Sequence, residues 1–271
     1  MKLLVSVFLL LVLSYPATAE VVTSFTTCNN FFFNHQPPNG TLGTQYKMIC
    51  QKTEDGYEYA TLYDTDNKIP VYSAYDFQGI RTKTADWDIE PQLDDQNGGD
   101  FMASEGKVNR YLRGKNQALD EDYAGTSNVY DRGHLLPVHH RHSQASPDAT
   151  FTLTNAAPQH KTFNRGQWKA TERVVANMLT INCLNRGFHA YIVTGVVPGN
   201  AHIGKQVNVP SHFWSAYCCR DNNDRLQLSG AFYGDNDQTN TVTTTTIAGL
   251  DGVLTTLYGL TSFEVFANKC Q

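Results

Sequence analysis

The chain has 271 residues, of which 41% are hydrophobic and 17% are charged, and its formal net charge is −5 at pH 7. This acidic balance excludes a generic polyanion binder that depends on overall positive charge. The length is enough for one large domain with a substantial core or for two small ones, and neither a linker nor an internal repeat divides the sequence.

The N-terminal segment has the pattern of a secretory signal. Lys2 precedes an apolar run over residues 3–13, and small residues follow at 17–19. We expect cleavage before Glu20. The apolar run is too short to cross a bilayer, and no later stretch is long and apolar enough to do so. We therefore expect a secreted protein whose mature chain, 20–271, is a single domain.

In chain order, alternating apolar residues, turn signals and helical spacing predict a series of strands and helices. They are strands at 46–51, 57–63 and 70–77, a short helix at 117–123, a strand at 151–154, the longest helix at 164–182, strands at 188–197, 212–220 and 226–234, a helix at 247–258 and a last strand at 263–267. Runs of strands with few helices favour an α+β fold with a mixed or antiparallel sheet core.

Six cysteines follow the predicted signal, and an even number in a secreted chain favours disulfides over a zinc site. We predict a bond between Cys28 and Cys50. Strain excludes a bond between the adjacent Cys218 and Cys219, and the remaining pairing is open. Asn39 begins an Asn-Gly-Thr sequon and is a predicted glycosylation site.

The sequence Asp131-Arg132-Gly133-His134 combines a carboxylate, a guanidinium fork and an imidazole within four residues. Hydrolysis of a phosphodiester needs an activated water and groups that neutralise charge on the phosphoryl oxygens. A neutral imidazole is well matched to accepting a proton near pH 7, so we predict that His134 is the general base. Arg132 can bind the scissile phosphate. Asp131 is predicted to be a structural carboxylate that pairs with a nearby base.

Three further residues complete this predicted site. Asn164, at the start of the longest helix, can supply a carbonyl oxygen to a hard cation such as Mg²⁺, which needs only one or two protein ligands. Glu172, two turns later, is expected to support that metal through bound water. Asn155 is expected to orient neighbouring groups by hydrogen bonds. Taken singly, each of these residues also has an ordinary structural role as a cap, turn or surface residue.

Positive charge is concentrated in the same part of the chain. Between Asp131 and Arg173 there are six Lys or Arg residues and three acidic ones, which predicts a basic patch inside an acidic chain. Zinc binding by the sequence His139-His140-Arg141-His142 is an alternative, but a solvated basic rim is the preferred interpretation.

Three motifs stand in order along the chain: Tyr-Asp-Arg-Gly-His134, Thr-Asn-Ala-Ala-Pro-Gln159 and Phe-Asn-Arg-Gly-Gln-Trp-Lys-Ala-Thr-Glu172. Together they resemble the DNA/RNA non-specific endonuclease family with its ββα-metal fold. The segment from Ser24 to Phe33, with the Gln-Pro-Pro that ends at Pro38, resembles the animal endonuclease domain-containing 1 proteins within that family.

The resemblance implies that His134 is the general base, that Asn164 carries Mg²⁺, with Mn²⁺ as an alternative, and that Glu172 supports the metal. It implies supporting catalytic roles for Arg132 and Asn155, with DNA or RNA as the substrate. Many family members have an arginine where this chain has Lys68, and a lysine loses the bidentate fork.

We expect Lys68, Arg132 and Arg165 to bind substrate phosphates. Two alternatives to a secreted Mg²⁺-dependent endonuclease remain. One is a nucleic-acid-binding protein with little turnover, and the other is an enzyme that acts on small phosphodiesters.

Overall fold

The computed structural model of the chain describes residues 20–40, 43–53, 56–80, 84–141 and 146–271. The predicted signal, Thr41 of the sequon and His142 lie outside the described residues. The structure contains fourteen strands and six α-helices within these ranges.

The strands are β1 Val21–Val22, β2 Tyr46–Thr53, β3 Gly56–Asp64, β4 Ile69–Asp76, β5 Asp88–Ile89, β6 Ala103–Ser104, β7 Tyr130–His134, β8 Ala156–His160, β9 His189–Val197, β10 Ala201–Ile203, β11 Val207–Val209, β12 His212–Arg220, β13 Leu226–Asp235 and β14 Thr243–Thr245. The helices are α1 Pro91–Asp94, α2 Asp120–Ala124, α3 Ser146–Ala149, α4 Lys161–Phe163, α5 Lys169–Asn182 and α6 Ile247–Leu257. A π-helical turn, Asn164–Trp168, connects α4 to α5.

An eight-stranded sheet with the order β1-β2-β3-β4-β9-β12-β13-β14 forms the centre of the fold. Its neighbouring strands all pair in antiparallel orientation. The α+β prediction is therefore confirmed, and the large sheet is antiparallel rather than mixed. The six longest predicted strands all occur, each within three residues of its predicted ends.

Both faces of this sheet are covered, because successive residues of each strand point to opposite sides. Phe213 of β12 joins the core beneath α5, where the Trp168 ring lies 5.7 Å from it. Its neighbour Trp214 joins the opposite core, beneath α6 and the aromatic N-terminal segment that includes Phe32. Trp168, Val175 and Leu179 of the long helix are buried, as their helical spacing predicted.

The three disulfides follow from the same alternation. Cys28 bonds to Cys50, which confirms the prediction. The adjacent Cys218 and Cys219 point to opposite faces, so Cys218 reaches Cys270 beside one core and Cys219 reaches Cys183 at the end of α5 beside the other.

The strand predicted at 151–154 is wrong. Thr152 makes one isolated bridge to Asp88, and a 3₁₀ turn follows at Leu153–Asn155. The hydroxyl groups of Thr152 and Thr154 donate to Glu90 Oε1 at 2.7 and 3.2 Å. These long-range hydrogen bonds to a buried carboxylate replace the ladder that local propensity favours.

Two other predictions, one near the C-terminus and one in the middle of the chain, also need correction. The strand predicted at 263–267 is absent, because the hydroxyl of Thr255 and the carboxylate of Asp251 accept the backbone N–H groups of Phe263 and Val265. The helix predicted at 117–123 begins instead at Asp120.

None of the helices described by the structure is long and apolar enough to span a bilayer.

Candidate active site

A ββα unit lies against the α5 face of the large sheet and contains the first and last of the three sequence motifs. β7 and β8 form an antiparallel pair, and α4, the π-helical turn and α5 follow them. Gly133 of β7 faces Ala157, and a Cβ at Gly133 would lie 2.4 Å from the side-chain oxygen of Gln159. Glycine is therefore required by close packing between the two strands.

His134, at the end of β7, lines a cavity of about 210 Å³ that Asn164 and Glu172 also line. Its ring packs between Trp87 and Phe151, with centroid distances of 4.8 and 5.0 Å. Its Nε2 is buried without a hydrogen-bond partner. Burial lowers the pKa of His134 to about 4, so the imidazole is neutral near pH 7 and can accept a proton.

Asp131 fixes the orientation of Asn164. The Asn164 Nδ2 donates to Asp131 Oδ2 at 3.0 Å, and the Arg165 guanidinium holds the same carboxylate through two 2.8 Å hydrogen bonds. Partial burial acts to raise the pKa of Asp131, but these hydrogen bonds outweigh it and keep the pKa below its ordinary value. With its amide nitrogen engaged, Asn164 retains its carbonyl oxygen for another ligand.

Glu172 lies in the first turn of α5 and is almost fully buried. Burial raises the pKa of Glu172 to about 8, and the neighbouring Trp168 and Lys169 only partly offset it. A buried carboxyl group that is costly to ionise alone is suited to a nearby cation.

A hydrated Mg²⁺ fits these donors. One oriented amide oxygen from Asn164 and a buried carboxyl group nearby match an ion that keeps most of its waters. No three His, Cys, Asp or Glu residues in the described ranges are arranged to hold a metal together. The site therefore suits a mostly hydrated ion better than a fully protein-coordinated one.

Arg132 and His134 both contact Trp87 but line different cavities. The Arg132 guanidinium forms an ion pair with Asp120 and stacks over the rings of Trp87 and Tyr123, at 5.7 and 5.1 Å. It lines a separate cavity of about 450 Å³ with Trp87 and Asp120. The structure thus brings together His134, Asn164 and Glu172, and places Arg132 next to that group rather than within it.

Asn155 and Lys68 lie outside both cavities. Asn155 is fully buried and uses its whole amide to fasten the segment after His134. Lys68 donates to the Gly114 carbonyl at 2.8 Å. The structure does not bring Lys68 to the His134 cavity.

The predicted solvated basic rim at residues 139–142 is wrong for its described part. Arg141 is 1% exposed and is held by Glu58 and Asp76 at 2.8 and 3.0 Å. His140 is also buried, and its Nδ1 lies 2.9 Å from the Tyr75 hydroxyl. Three arginines of the predicted basic patch are therefore held in ion pairs, namely Arg132, Arg141 and Arg165.

Sequence reasoning missed four residues that surround the His134 cavity. Trp87 and Phe151 contact the His134 ring, and His139 and Lys169 line the cavity. Lys169 lies within the third motif and His139 follows the first motif by five residues, so their positions along the chain could have indicated both. Trp87 and Phe151 come from irregular segments, where no periodicity identifies a position near the site.

The chain matches the sequence profile of the DNA/RNA non-specific endonucleases over residues 43–251. It belongs to that family. Within the family it is 35% identical over 208 residues to the human endonuclease domain-containing 1 protein, covering 74% of this chain and 40% of that protein. The mouse protein of the same name is 30% identical, with 72% and 39% covered. The chain thus spans about two fifths of the length of these relatives.

More distant members of the family are also similar to this chain. Human mitochondrial endonuclease G is 27% identical over 164 residues, covering 55% of this chain and 53% of that protein. A chain in a crystal structure of the EndoG/EndoGI complex superposes with a TM-score of 0.53 at 22% identity, covering 78% of this chain and 83% of that one. This likeness shows that the two share a fold.

Proposed function

We propose that the protein is a secreted, Mg²⁺-dependent endonuclease with little sequence preference that hydrolyses phosphodiester bonds of DNA or RNA. One observation carries the proposal: a neutral imidazole, an oriented amide oxygen and a buried carboxyl group, from His134, Asn164 and Glu172, line the same cavity. Membership of a family of nucleases supports the substrate class.

In this proposal His134 takes a proton from the water that attacks the phosphorus atom. The bond from phosphorus to the 3′ oxygen breaks, which leaves a 5′-phosphate and a 3′-hydroxyl. Asn164, with Glu172 acting through bound water, would hold a divalent metal, and that metal would supply positive charge to the phosphoryl and leaving oxygens. Mn²⁺, which also prefers oxygen ligands, is expected to replace Mg²⁺.

The surroundings of these residues favour the same chemistry. Trp87 and Phe151 keep the His134 ring in one orientation and partly exclude water from it. Asp131 keeps Asn164 oriented, and Lys169 supplies positive charge at the rim of the cavity. Pre-positioned groups of this kind lower the cost of reorganisation during the reaction.

Secretion is the second part of the proposal. Three disulfides fasten the fold, and stable structural disulfides are typical of oxidising compartments. Asn39 is exposed, and its amide nitrogen donates to Glu264 at 2.8 Å. A glycan attached to Asn39 would take the place of one of the two hydrogens on this nitrogen and leave the other to donate.

Plasmid nicking by the protein purified from a secreting cell tests the proposed activity. We expect cleavage with Mg²⁺, none with EDTA, and a rate lower by about 10² to 10⁴ in His134→Ala. His189→Ala is the matched control, because His189 is exposed at the start of β9, outside the cavity. Circular dichroism and thermal unfolding should show that both variants fold.

Retained cleavage in a folded His134→Ala variant would remove His134 as the base. Absence of cleavage by the folded wild-type protein with any divalent metal would favour the nucleic-acid-binding alternative. In that case, binding should weaken as the salt concentration rises.

A further inference from the structure

The cavity around Arg132 has features that the proposed reaction does not use. It lies beside the His134 cavity, because Trp87 lines it and also contacts the His134 ring. Among the described residues that line it, Arg132 alone is basic, whereas Asp86, Glu105 and Asp120 supply three carboxylates. An acidic cavity next to a proposed phosphodiesterase site requires an explanation, because carboxylates repel a polyanionic substrate.

The guanidinium of Arg132 is held rigidly, and its present partner is exposed. The rings of Trp87 and Tyr123 fix it from two sides, and its Nε is buried without a partner. The Asp120 side chain is 59% exposed, whereas that of Arg132 is 25% exposed. Asp120 can therefore leave the pair by rotating into water, while the guanidinium stays in place between the two rings.

The position of Arg132 suits a phosphate next to the scissile one. Arg132 and His134 are two residues apart on β7, so their side chains lie on the same face and about 7 Å apart along the strand. Neighbouring phosphates in a nucleic-acid strand have a comparable spacing. A phosphate attacked beside His134 would thus place the adjacent phosphate near Arg132.

We propose that this second cavity is a subsite for the flanking phosphate, and that Asp120 competes with that phosphate for Arg132. The inference rests on the proposed nuclease function and extends it to a specificity-determining residue. A guanidinium fork fits carboxylate and phosphate oxygens with the same bidentate geometry, so the two anions exclude each other. The Asp120 carboxylate therefore lowers the affinity of the protein for substrates that have a flanking phosphate.

The proposal separates two classes of substrate. An oligonucleotide with several phosphates must displace Asp120 when it binds, whereas a dinucleoside monophosphate has a single phosphate and leaves the Asp120–Arg132 pair intact. Removing the charge of Asp120 should therefore help only the longer substrate.

Asp120→Asn is the test variant, and Glu121→Gln is its matched control. Both changes remove one negative charge from α2, but Glu121 pairs with Lys205 rather than with Arg132. In Asp120→Asn we expect a KM for a short oligonucleotide that is lower by about 3- to 10-fold, with a nearly unchanged kcat. The KM for a dinucleoside monophosphate should not change, and Glu121→Gln should match the wild type on both substrates.

The result must also depend on Arg132. In an Arg132→Gln background, the further change Asp120→Asn should no longer lower KM. An equal decrease in Glu121→Gln, a decrease that persists without Arg132, or an equal decrease for the dinucleoside monophosphate would overturn the subsite and leave only a general effect of charge.

Binding without metal separates this inference from the proposed activity. With EDTA present, fluorescence anisotropy of a labelled oligonucleotide should show tighter binding by Asp120→Asn than by the wild type or Glu121→Gln. If the wild type cleaves nothing and this difference is found, the catalytic proposal fails and the subsite stands. If the wild type cleaves and the difference is absent in both binding and KM, the subsite fails and the activity stands.

Discussion

His134 illustrates how the protein surroundings set the chemistry of one residue. An imidazole in water is half protonated near pH 6.5, but contact with Trp87 and Phe151 removes water from this one. The resulting pKa of about 4 leaves His134 neutral throughout the physiological range. The sequence predicted a base at this position, and burial keeps the imidazole in the neutral form that the proposed role needs at mildly acidic pH.

The pH dependence of cleavage tests this point at saturating metal. Because the pKa of His134 is lowered to about 4, kcat/KM should stay constant as the pH falls from 7 to about 5 and then decrease with a midpoint near 4. An acidic limb centred near the ordinary histidine value of about 6.5 would contradict the buried imidazole. Stability measured across the same pH range separates loss of activity from unfolding.

The contribution of two buried histidines to folding stability should decrease as the pH falls. Burial lowers the pKa of His134 and His139 to about 4 in the folded protein, so between pH 6.5 and 4 the unfolded chain binds more protons at these two residues. Their contribution to folding stability is therefore present at neutral pH and is lost as the pH falls through this range.

Asn155 connects three segments of the chain that belong to different structural elements. Its Oδ1 accepts hydrogen bonds from the Leu136 N–H at 3.0 Å and the Ser73 hydroxyl at 2.9 Å. Its Nδ2 donates to the carbonyl groups of Leu136 and Thr150, at 3.1 and 3.0 Å. The sequence predicted an orienting residue, and we infer that Asn155 supports the site by fixing the segment that follows His134.

Asn155→Ala should therefore act mainly on stability. The change leaves several buried polar groups with one partner fewer, and we expect the free energy of unfolding to fall by about 3 kcal/mol. Asn128→Ala, at an exposed position, is the matched control and should change it by about 0.5 kcal/mol or less. Urea unfolding monitored by tryptophan fluorescence measures both. A stability equal to that of the control would show that the observed hydrogen bonds contribute little.

The π-helical turn is a second element whose form depends on distant residues. Helical spacing predicted a continuous helix from Asn164, but the backbone widens over Asn164–Trp168 before α5 begins. A Cβ at Gly166 would lie 2.3 Å from the Asn240 side chain, and Asn240 accepts the Gln167 N–H at 2.7 Å. Contact with the loop before β14 thus shapes the segment that presents Asn164 to the cavity.

At the scale of the whole molecule, disulfides fasten both faces of the central sheet. Cys183–Cys219 ties the end of α5 to β12, and Cys218–Cys270 ties the opposite face of β12 to the C-terminal segment. The enclosed sequence separations are 36 and 52 residues. Cross-links over chain segments of this length restrict the unfolded state strongly.

Replacing Cys183 and Cys219 together by serine should lower the free energy of unfolding by about 2 to 5 kcal/mol. Replacing both cysteines of a bond avoids leaving a free thiol. The variant in which Cys218 and Cys270 are both replaced by serine can then be compared with it directly. Because Cys218 and Cys219 are adjacent in β12 and the two closed loops overlap there, the effect of removing both bonds should differ from the sum of the two separate effects. Urea unfolding of the three variants measures this, and wild-type stability in either double variant would contradict the role of that bond.

Features that depend on local pattern or local chemistry could be predicted from the amino-acid sequence alone. The alternation of apolar residues located the long strands of the sheet, and helical spacing located the buried face of α5. The motifs identified His134, Asn164 and Glu172, which the structure brings to one cavity. Local reasoning succeeded there because the ββα unit is nearly continuous in sequence, so the spacing along the chain defines most of its geometry.

The partners that these residues contact depend on how distant parts of the chain pack together. Arg132 was predicted to bind the scissile phosphate, but Asp120, Trp87 and Tyr123 hold it in the adjacent cavity. Lys68 lies next to Gly114, away from His134. Ion pairs, ring contacts and buried hydrogen bonds join segments far apart in the chain, and their free energies depend on burial that no local pattern encodes.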